Sequence, residues 1–440
     1  MHFMVPVLAS LLLLCMPVQA FAACEVGGYR LAGGDYVDIA STRGPGLRWR
    51  KMDGTTGALA KGDGAVWTST TGWTGRADGK QVYFDCARGV ISFDGEAGRR
   101  IDFDVVETRF NVEGAQLAGR LVMPPGAGRV PVVVLVHGAE PGLARESYAL
   151  QRMFPAAGIG AFVYDKRGTG VSGGEYTHDY LTLAVDAIAA AHEARRLGGE
   201  RVSDLGYQAG SQGGWVAPLA ARIEPVDFLI VGFGLAVSPL RAERELIALD
   251  MSRHGYGPDI VGKSMEVADA VEAVVVSNFQ SGYDKLAAVR LKYGKQAWFR
   301  DVRGSITAML LETPPETMRV EGPKLVPSIP FHYDPMPVLR NLDVPQLWVL
   351  GGDDIVAPAP ETSRRLAALA QSGKPITSAI FPRADHGIYE YEMGADGKRV
   401  STRAPAGYFS MMRDFILEGR LAQDYGAEIV SRAARPARHH

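Results

Sequence analysis

Four short stretches of the chain are apolar almost throughout: Val130–Val136, Gly160–Tyr164, Phe228–Val231 and Gln346–Leu350. A strand with one wet face alternates apolar and polar residues, whereas a strand covered on both faces does not. Runs of this kind separated by helical patterns fold as a doubly wound, mostly parallel α/β sheet. The clearest helical pattern is 179–197, with Leu181, Ala184, Val185, Ile188 and Ala191 on one stripe and Asp179 as the N-cap. A hairpin centred on Glu113-Gly114 leads into this domain, which spans 108–425. Residues 240–335 break the strand–helix alternation with helical patterns at 242–253, 264–280 and 283–300. An insertion of that size between two core strands is expected to form a helical lid over the strand ends.

Residues 23–107 have a different texture. Short β-forming runs (Tyr36–Ile39, Leu47–Arg50, Ala65–Trp67, Gln81–Phe84) are separated by the turns Asp53-Gly54, Asp63-Gly64, Asp78-Gly79 and Asp94-Gly95. That spacing predicts a small antiparallel β domain, in which no chemistry is apparent. Hydrophobic residues make up 47% of the chain, which excludes a disordered protein. Lys+Arg 47 against Asp+Glu 49 leaves a net charge of -2, so there is no overall basic field for nucleic acid.

The first 22 residues are expected to be an export signal. Val5–Val18 is apolar around Leu11–Leu14, is broken by Pro6 and Pro17, and is followed by the small-x-small pattern Ala20-Phe21-Ala22. No other stretch is apolar for long enough to cross a membrane. Removing the signal removes Cys15 and leaves Cys24 and Cys86, an even pair in an oxidising periplasmic or extracellular setting, for which a disulfide is the default. The rival is a lipoprotein acylated at Cys24. The basic end, 426–440, is read as a solvated tail.

The chemistry centres on Ala209-Gly210-Ser211-Gln212-Gly213-Gly214-Trp215, between a short strand and a helix-like segment. A serine at such a turn is crowded and needs small neighbours, and Ala209 and Gly213 supply them at positions minus two and plus two. The turn exposes the hydroxyl at a helix N-terminus, where developing negative charge is favoured. A nucleophilic serine needs a base, and the base needs an orienting acid. Strand 346–350 ends in Gly351-Gly352-Asp353-Asp354, and the last strand, around Ser378–Phe381, leads into Asp385-His386-Gly387. Parallel strands bring both loops to the sheet edge that carries Ser211. The expected set is Ser211, Asp354 and His386, with Asp353 a solvated neighbour and Asp385 pointing away. The oxyanion donors are the backbone N–H groups of Gln212 and, from the loop after 130–136, Ala139.

These segments together resemble the α/β-hydrolase family of serine hydrolases, in the branch of bacterial esterases, acyl thioesterases and prolyl-oligopeptidase-like or serine-aminopeptidase-like enzymes. Leu135-Val136-His137-Gly138, Tyr164-Asp165-Lys166-Arg167-Gly168-Thr169-Gly170-Val171-Ser172, the Ser211 segment, Gly351–Asp354 and Asp385-His386 occur in that order, over roughly 110–420. The resemblance implies an acid three residues after a strand-ending Gly and four before a Pro, which is Asp354. Ala209 departs from the family's Gly.

Gly168–Gly173 matches G-x-G-x-x-G formally, but the helix opens only near Asp179, so no dinucleotide site is expected. No cofactor or metal is expected either. The reading is an exported serine esterase or thioesterase acting on a small acyl ester. One alternative is an exopeptidase or amidase acting on short peptides. The other is a non-catalytic binding protein that uses Trp49, Trp67 and Trp73, residues otherwise expected in the β-domain core.

Overall fold

A computed structural model describes residues 24–42, 44–62, 64–421 and 424–433. The export signal and the last residues of the tail lie outside these. The β domain is a closed antiparallel barrel of eight strands: β1 (Gly27–Leu31), β2 (Tyr36–Ser41), β3 (Leu47–Lys51), β4 (Thr56–Lys61), β5 (Val66–Thr71), β6 (Ala77–Asp85), β7 (Val90–Phe93) and β8 (Glu96–Arg100). Each strand pairs with the next, and β8 returns to β1, so no edge is left open. Val37, Ile39, Trp49, Leu59, Val82 and Phe93 fill the interior. The Cys24–Cys86 disulfide ties the start of the domain to the β6–β7 turn.

The larger sheet has nine strands, in the order β19 (Glu428–Ser431), β16 (Ile376–Phe381), β15 (Gln346–Gly351), β14 (Phe228–Gly232), β13 (Val202–Gly210), β11 (Val130–Val136), β12 (Gly160–Tyr164), β10 (Ala115–Met123) and β9 (Asp104–Val112). The antiparallel hairpin of β9 (Asp104–Val112) and β10 (Ala115–Met123) forms one edge. The parallel centre comprises β11 (Val130–Val136), β12 (Gly160–Tyr164), β13 (Val202–Gly210), β14 (Phe228–Gly232), β15 (Gln346–Gly351) and β16 (Ile376–Phe381). The two faces of β11 show why its run does not alternate. Val132, Val134 and Val136 pack into one helix-covered core, and Val133 and Leu135 into the other.

Helices α1 (Ala144–Ser147) and α2 (Leu150–Ala156) join β11 to β12, α3 (Tyr180–Gly198) follows β12, and α4 (Gly213–Ile223) follows the Ser211 turn. Helices α5 (Pro239–Arg253), α6 (Pro258–Val275), α7 (Tyr283–Tyr293), α8 (Thr307–Glu312), α9 (Pro315–Leu325) and α10 (Met336–Arg340) form the insertion between β14 and β15. Helix α11 (Ala359–Gln371) precedes β16. A hairpin of β17 (Glu390–Met393) and β18 (Arg399–Arg403) and then α12 (Tyr408–Glu418) complete the connection to β19 (Glu428–Ser431). Among the described residues no helix is long and apolar enough to cross a membrane.

Several expectations need correction. The barrel ends at Arg100, because β9 from Asp104 is already hydrogen-bonded to β10; the boundary at 107 was drawn from texture and β9 reads like a barrel strand. Residues 428–431 are not tail, because β19 pairs antiparallel with β16. The buried stripe of α3 is rotated from the expected one. It runs through Leu183, Ala184, Ala187, Ala190, Ala191 and Ala194, while Leu181 is 57% exposed. Alanines allow a close approach to the sheet, and buried Asp186 on the same helix forms a bidentate pair with Arg167. Asp179 caps α3 as expected, accepting from the Thr182 N–H at 2.7 Å.

The barrel is docked against the α1, α2 and α12 side of the sheet. Tyr36 joins the core formed there by Val133, Phe154 and Phe409. Asp38 on β2 is fully buried and forms two hydrogen bonds with Arg152 of α2, at 2.5 and 3.0 Å. The β3–β4 and β5–β6 turns press on β18, where glycine is required: a Cβ on Gly72 (φ 50°) would lie 2.4 Å from the Thr402 carbonyl oxygen.

Candidate active site

The chain reverses direction across the sheet between β11 and β13, so their C-terminal ends open a crevice. Ser211 stands there, in the turn between β13 and α4. Its φ is 52°, in the left-handed region that side chains other than glycine avoid. Strain of this kind persists only where the surroundings over-determine it, and here they do. The Ser211 N–H donates to the Gly232 carbonyl at 3.2 Å. A Cβ on Gly213 would lie 2.9 Å from the Val136 carbonyl oxygen and 3.1 Å from the Ala209 Cβ. Ala209 itself is fully buried, so a small residue fits where the family has glycine.

The three residues expected to act together do meet. Ser211 Oγ lies 3.1 Å from His386 Nε2, and His386 Nδ1 lies 2.9 Å from Asp354 Oδ2. Asp354 is 1% exposed, and its other oxygen accepts from the N–H groups of Val356 (2.8 Å) and Ala357 (2.7 Å). Both carboxylate oxygens are therefore committed, which fixes the imidazole tautomer with hydrogen on Nδ1 and the lone pair on Nε2 facing the serine.

Asp353 is not a solvated neighbour. Its side chain accepts from Arg253 of α5 and from the Tyr391 hydroxyl, and its carbonyl accepts from Arg253 and Arg399. Asp385 faces away from the triad and pairs with Arg399 at 3.0 Å, while accepting the His386 backbone N–H. The two aspartates beside the triad thus tie its loops to the insertion and to β18.

Among the described residues, nothing accepts the backbone N–H of Gln212 or of Ala139. Gln212 precedes the first residue of α4, so its N–H lies at the positive end of that helix. Sequence reasoning missed the groups behind these donors. Lys166, just past β12, donates to the Gly138 carbonyl and to the Gln212 side chain. Burial lowers Lys166 to about 8. Gln212 Nε2 also lies 2.6 Å from His178 Nδ1, and the Tyr176 hydroxyl donates to the Ala139 carbonyl. Burial holds His178 and His137 down at about 4, so both are neutral near pH 7. Their only sequence signal was the polar run Asp165-Lys166-Arg167 straight after an apolar strand.

Two cavities flank the triad. One, of about 230 Å³, lies under the insertion and is lined by Ser211, His386, Gln212 and Ala139 together with apolar residues such as Trp215, Leu246, Val271 and Phe331. The other, of about 380 Å³, lies between barrel and sheet domain. Of the three tryptophans, Trp49 and Trp67 are in the barrel core, but Trp73 is 40% exposed. Its ring lies beneath Arg48 and edge-on to Tyr389, three residues after His386. The described His, Cys, Asp and Glu residues close enough to share a metal are Cys24, Glu25 and Cys86, and the disulfide consumes both thiols.

The switch-point crevice, the strained serine turn and the Ser–His–Asp relay after the ends of β13, β15 and β16 define an α/β-hydrolase fold. No family model matches the sequence, and no curated protein is similar to it. Among solved structures, the chain is similar to the acylaminoacyl peptidase of Pyrococcus horikoshii, at 17% identity and a TM-score of 0.44, over 86% of this chain and 55% of that one. It is also similar to Est1E of Butyrivibrio proteoclasticus, at 19% identity and a TM-score of 0.38, over 63% and 90% of the two chains. A bacterial brefeldin A esterase gives 18% and 0.40, over 66% and 70%. The chain spans a little over half the length of the Pyrococcus peptidase. At that level of likeness, the class rests on the molecule's own topology and site.

Proposed function

We propose that this protein is a serine hydrolase that cleaves small carboxylic esters through an acyl-enzyme. The observation that carries the reading is the continuous relay Ser211 Oγ–His386 Nε2, His386 Nδ1–Asp354 Oδ2 at a strained strand-to-helix turn. Ser211 Oγ attacks the substrate carbonyl while His386 Nε2 takes its proton. Asp354 accepts from Nδ1–H throughout and stabilises the imidazolium that forms. The N–H groups of Gln212 and Ala139 hold the oxyanion. Collapse of the tetrahedral intermediate breaks the acyl–oxygen bond, and His386 returns the proton to the leaving alcohol. Water then repeats the sequence and frees the acid. The proposed lid is the helical insertion, and the apolar chamber beneath it suits an acyl chain. Thioesters would follow the same steps.

Esters are favoured over amides by the mainly apolar lining of that chamber. Of its two carboxylates, Glu243 of α5 is spent on the N–H groups of Ser305, Ile306 and Thr307, and Glu272 of α6 is the one that could hold the charged terminus an exopeptidase needs. Export is part of the proposal, because a Cys24–Cys86 bridge persists in an oxidising compartment.

Fluorophosphonate labelling with mapping of the modified peptide tests the reading. It predicts a label on Ser211 that is absent from Ser211→Ala. It also predicts faster turnover of acyl esters than of aminoacyl arylamides. A folded protein that takes no label and turns over neither substrate class would overturn it.

A further inference from the structure

The cavity between barrel and sheet domain is not used by the relay, yet it is built onto it. Gly138, Gly210 and Gly387 line its floor, each adjacent in sequence to Ala139, Ser211 or His386. Phe233 lines both this cavity and the chamber under the insertion. Its ring stands edge-on to His386 at 5.0 Å, and its φ of 42° is unusual for so bulky a residue. The volume, about 380 Å³, is that of a site for a small organic molecule.

The barrel supplies the other wall, and its charge is distinctive. Arg48 and Arg50 alternate with inward Trp49 on β3, so both project from the barrel toward the sheet domain. Arg48 is engaged, donating to the Gly72 carbonyl at 2.9 Å with its guanidinium over Trp73. Lys51 is paired with Asp35 at 3.1 Å. Arg50 lines the cavity, and its Nη1 is buried with no hydrogen-bond partner. Glu140, the carboxylate that shares the cavity, accepts from the Tyr148 hydroxyl. Among the described residues the Arg50 guanidinium forms no hydrogen bond or ion pair, so its charge is left to an anion that enters the cavity.

We propose that this cavity is the leaving-group half of the substrate site and that Arg50 binds a carboxylate carried by that group. The inference rests on the hydrolase reading above. His386 must hand its proton to the departing oxygen, and Gly387 and Tyr389, beside it, line this cavity. Met153, Phe409 and Met412 add apolar walls, so the group has an apolar body ending in an acid. The substrate class is therefore an ester of a hydroxy acid, its acyl part under the insertion and its acidic part against the barrel. The barrel becomes a specificity element.

The test compares 4-carboxyphenyl butanoate with phenyl butanoate on the full-length protein. The ratio of their kcat/KM values cancels the intrinsic reactivity of each ester between variants. Arg50→Met is expected to lower the acidic-to-neutral ratio about tenfold, the loss that accompanies one charge-assisted hydrogen bond. Arg50→Lys should keep most of the preference, and Arg50→Glu should shift it toward a 4-(aminomethyl)phenyl ester. In parallel, 4-hydroxybenzoate is titrated calorimetrically into Ser211→Ala protein with and without Arg50→Met. Turnover of both esters with an unchanged ratio, and binding that ignores Arg50, would overturn the subsite and leave the hydrolase standing. Turnover of neither ester, with Arg50-dependent binding, would overturn the hydrolase reading and support an acid-binding cavity.

Discussion

The ammonium group of Lys166 donates to the carbonyl oxygen of Gly138, and that carbonyl belongs to the same peptide unit as the Ala139 N–H. Holding one end of a planar peptide aims the other end. The same Nζ reaches the Gln212 side chain, so one buried cation grips both segments that carry the proposed oxyanion donors. Replacing Lys166 by Met should lower kcat by about 10²-fold while leaving KM close to its wild-type value, since the donors would be misaimed rather than lost. Steady-state kinetics on one ester decides this. A rise in KM with kcat intact would show that Lys166 serves binding instead.

The buried Asp38–Arg152 pair joins the barrel to α2. Asp38→Ala strands the guanidinium in a dry interface and should cost about 3–5 kcal/mol. The double variant Asp38→Ala/Arg152→Leu should recover much of that loss. Urea denaturation of the three proteins measures it. Equal stability of wild type and Asp38→Ala would mean that water reaches the pair.

Acid should destabilise the fold in a defined window. His137 and His178 are held neutral at about 4 by burial, against an ordinary value near 6.5. Unfolding therefore takes up protons between those values. Their contribution is complete above about 6.5 and is lost as the pH falls toward 4. The urea midpoint should drop between pH 7 and pH 5, and His178→Gln should reduce that drop. A midpoint independent of pH across this range would show both rings to be free to protonate in the folded state.

The Cys24–Cys86 bridge closes a loop with a sequence separation of 62. Cys86→Ser should lower stability by about 2–4 kcal/mol through the freer unfolded chain. The effect should fall on barrel unfolding, followed by Trp49 and Trp67 fluorescence. Thiol titration of the denatured, unreduced protein gives a second measure, since a free Cys86 would indicate a Cys24 engaged elsewhere.

The parts of the site that were legible in the sequence share a physical reason. Strand-ending loops of a parallel sheet converge whatever the details, so Ser211, Asp354 and His386 could be placed together from strand order alone. The choice of Asp354 over Asp353 came from the pattern of the family that the sequence resembles. The stripe of α3 was misjudged at Leu181, which hydrophobicity favours, whereas close packing on the sheet favours alanines; Ala184, Ile188 and Ala191 do face the core. The partners of Asp353 could not be foreseen, since Arg253 is 100 residues away in the insertion.

By itself, then, the sequence determined the local and periodic features: the apolar runs that must be strands, the small residues around Ser211, the paired cysteines and the order of Ser211, Asp354 and His386. These follow from contacts along the chain and from one general rule of sheet topology. Tertiary structure alone decided that the barrel packs against the sheet domain, that Arg50 meets a cavity next to His386, and that Lys166 holds the Gly138 peptide. Those depend on how two separately folded surfaces meet and on which carbonyl a buried cation reaches, and neither distance is encoded in residue spacing.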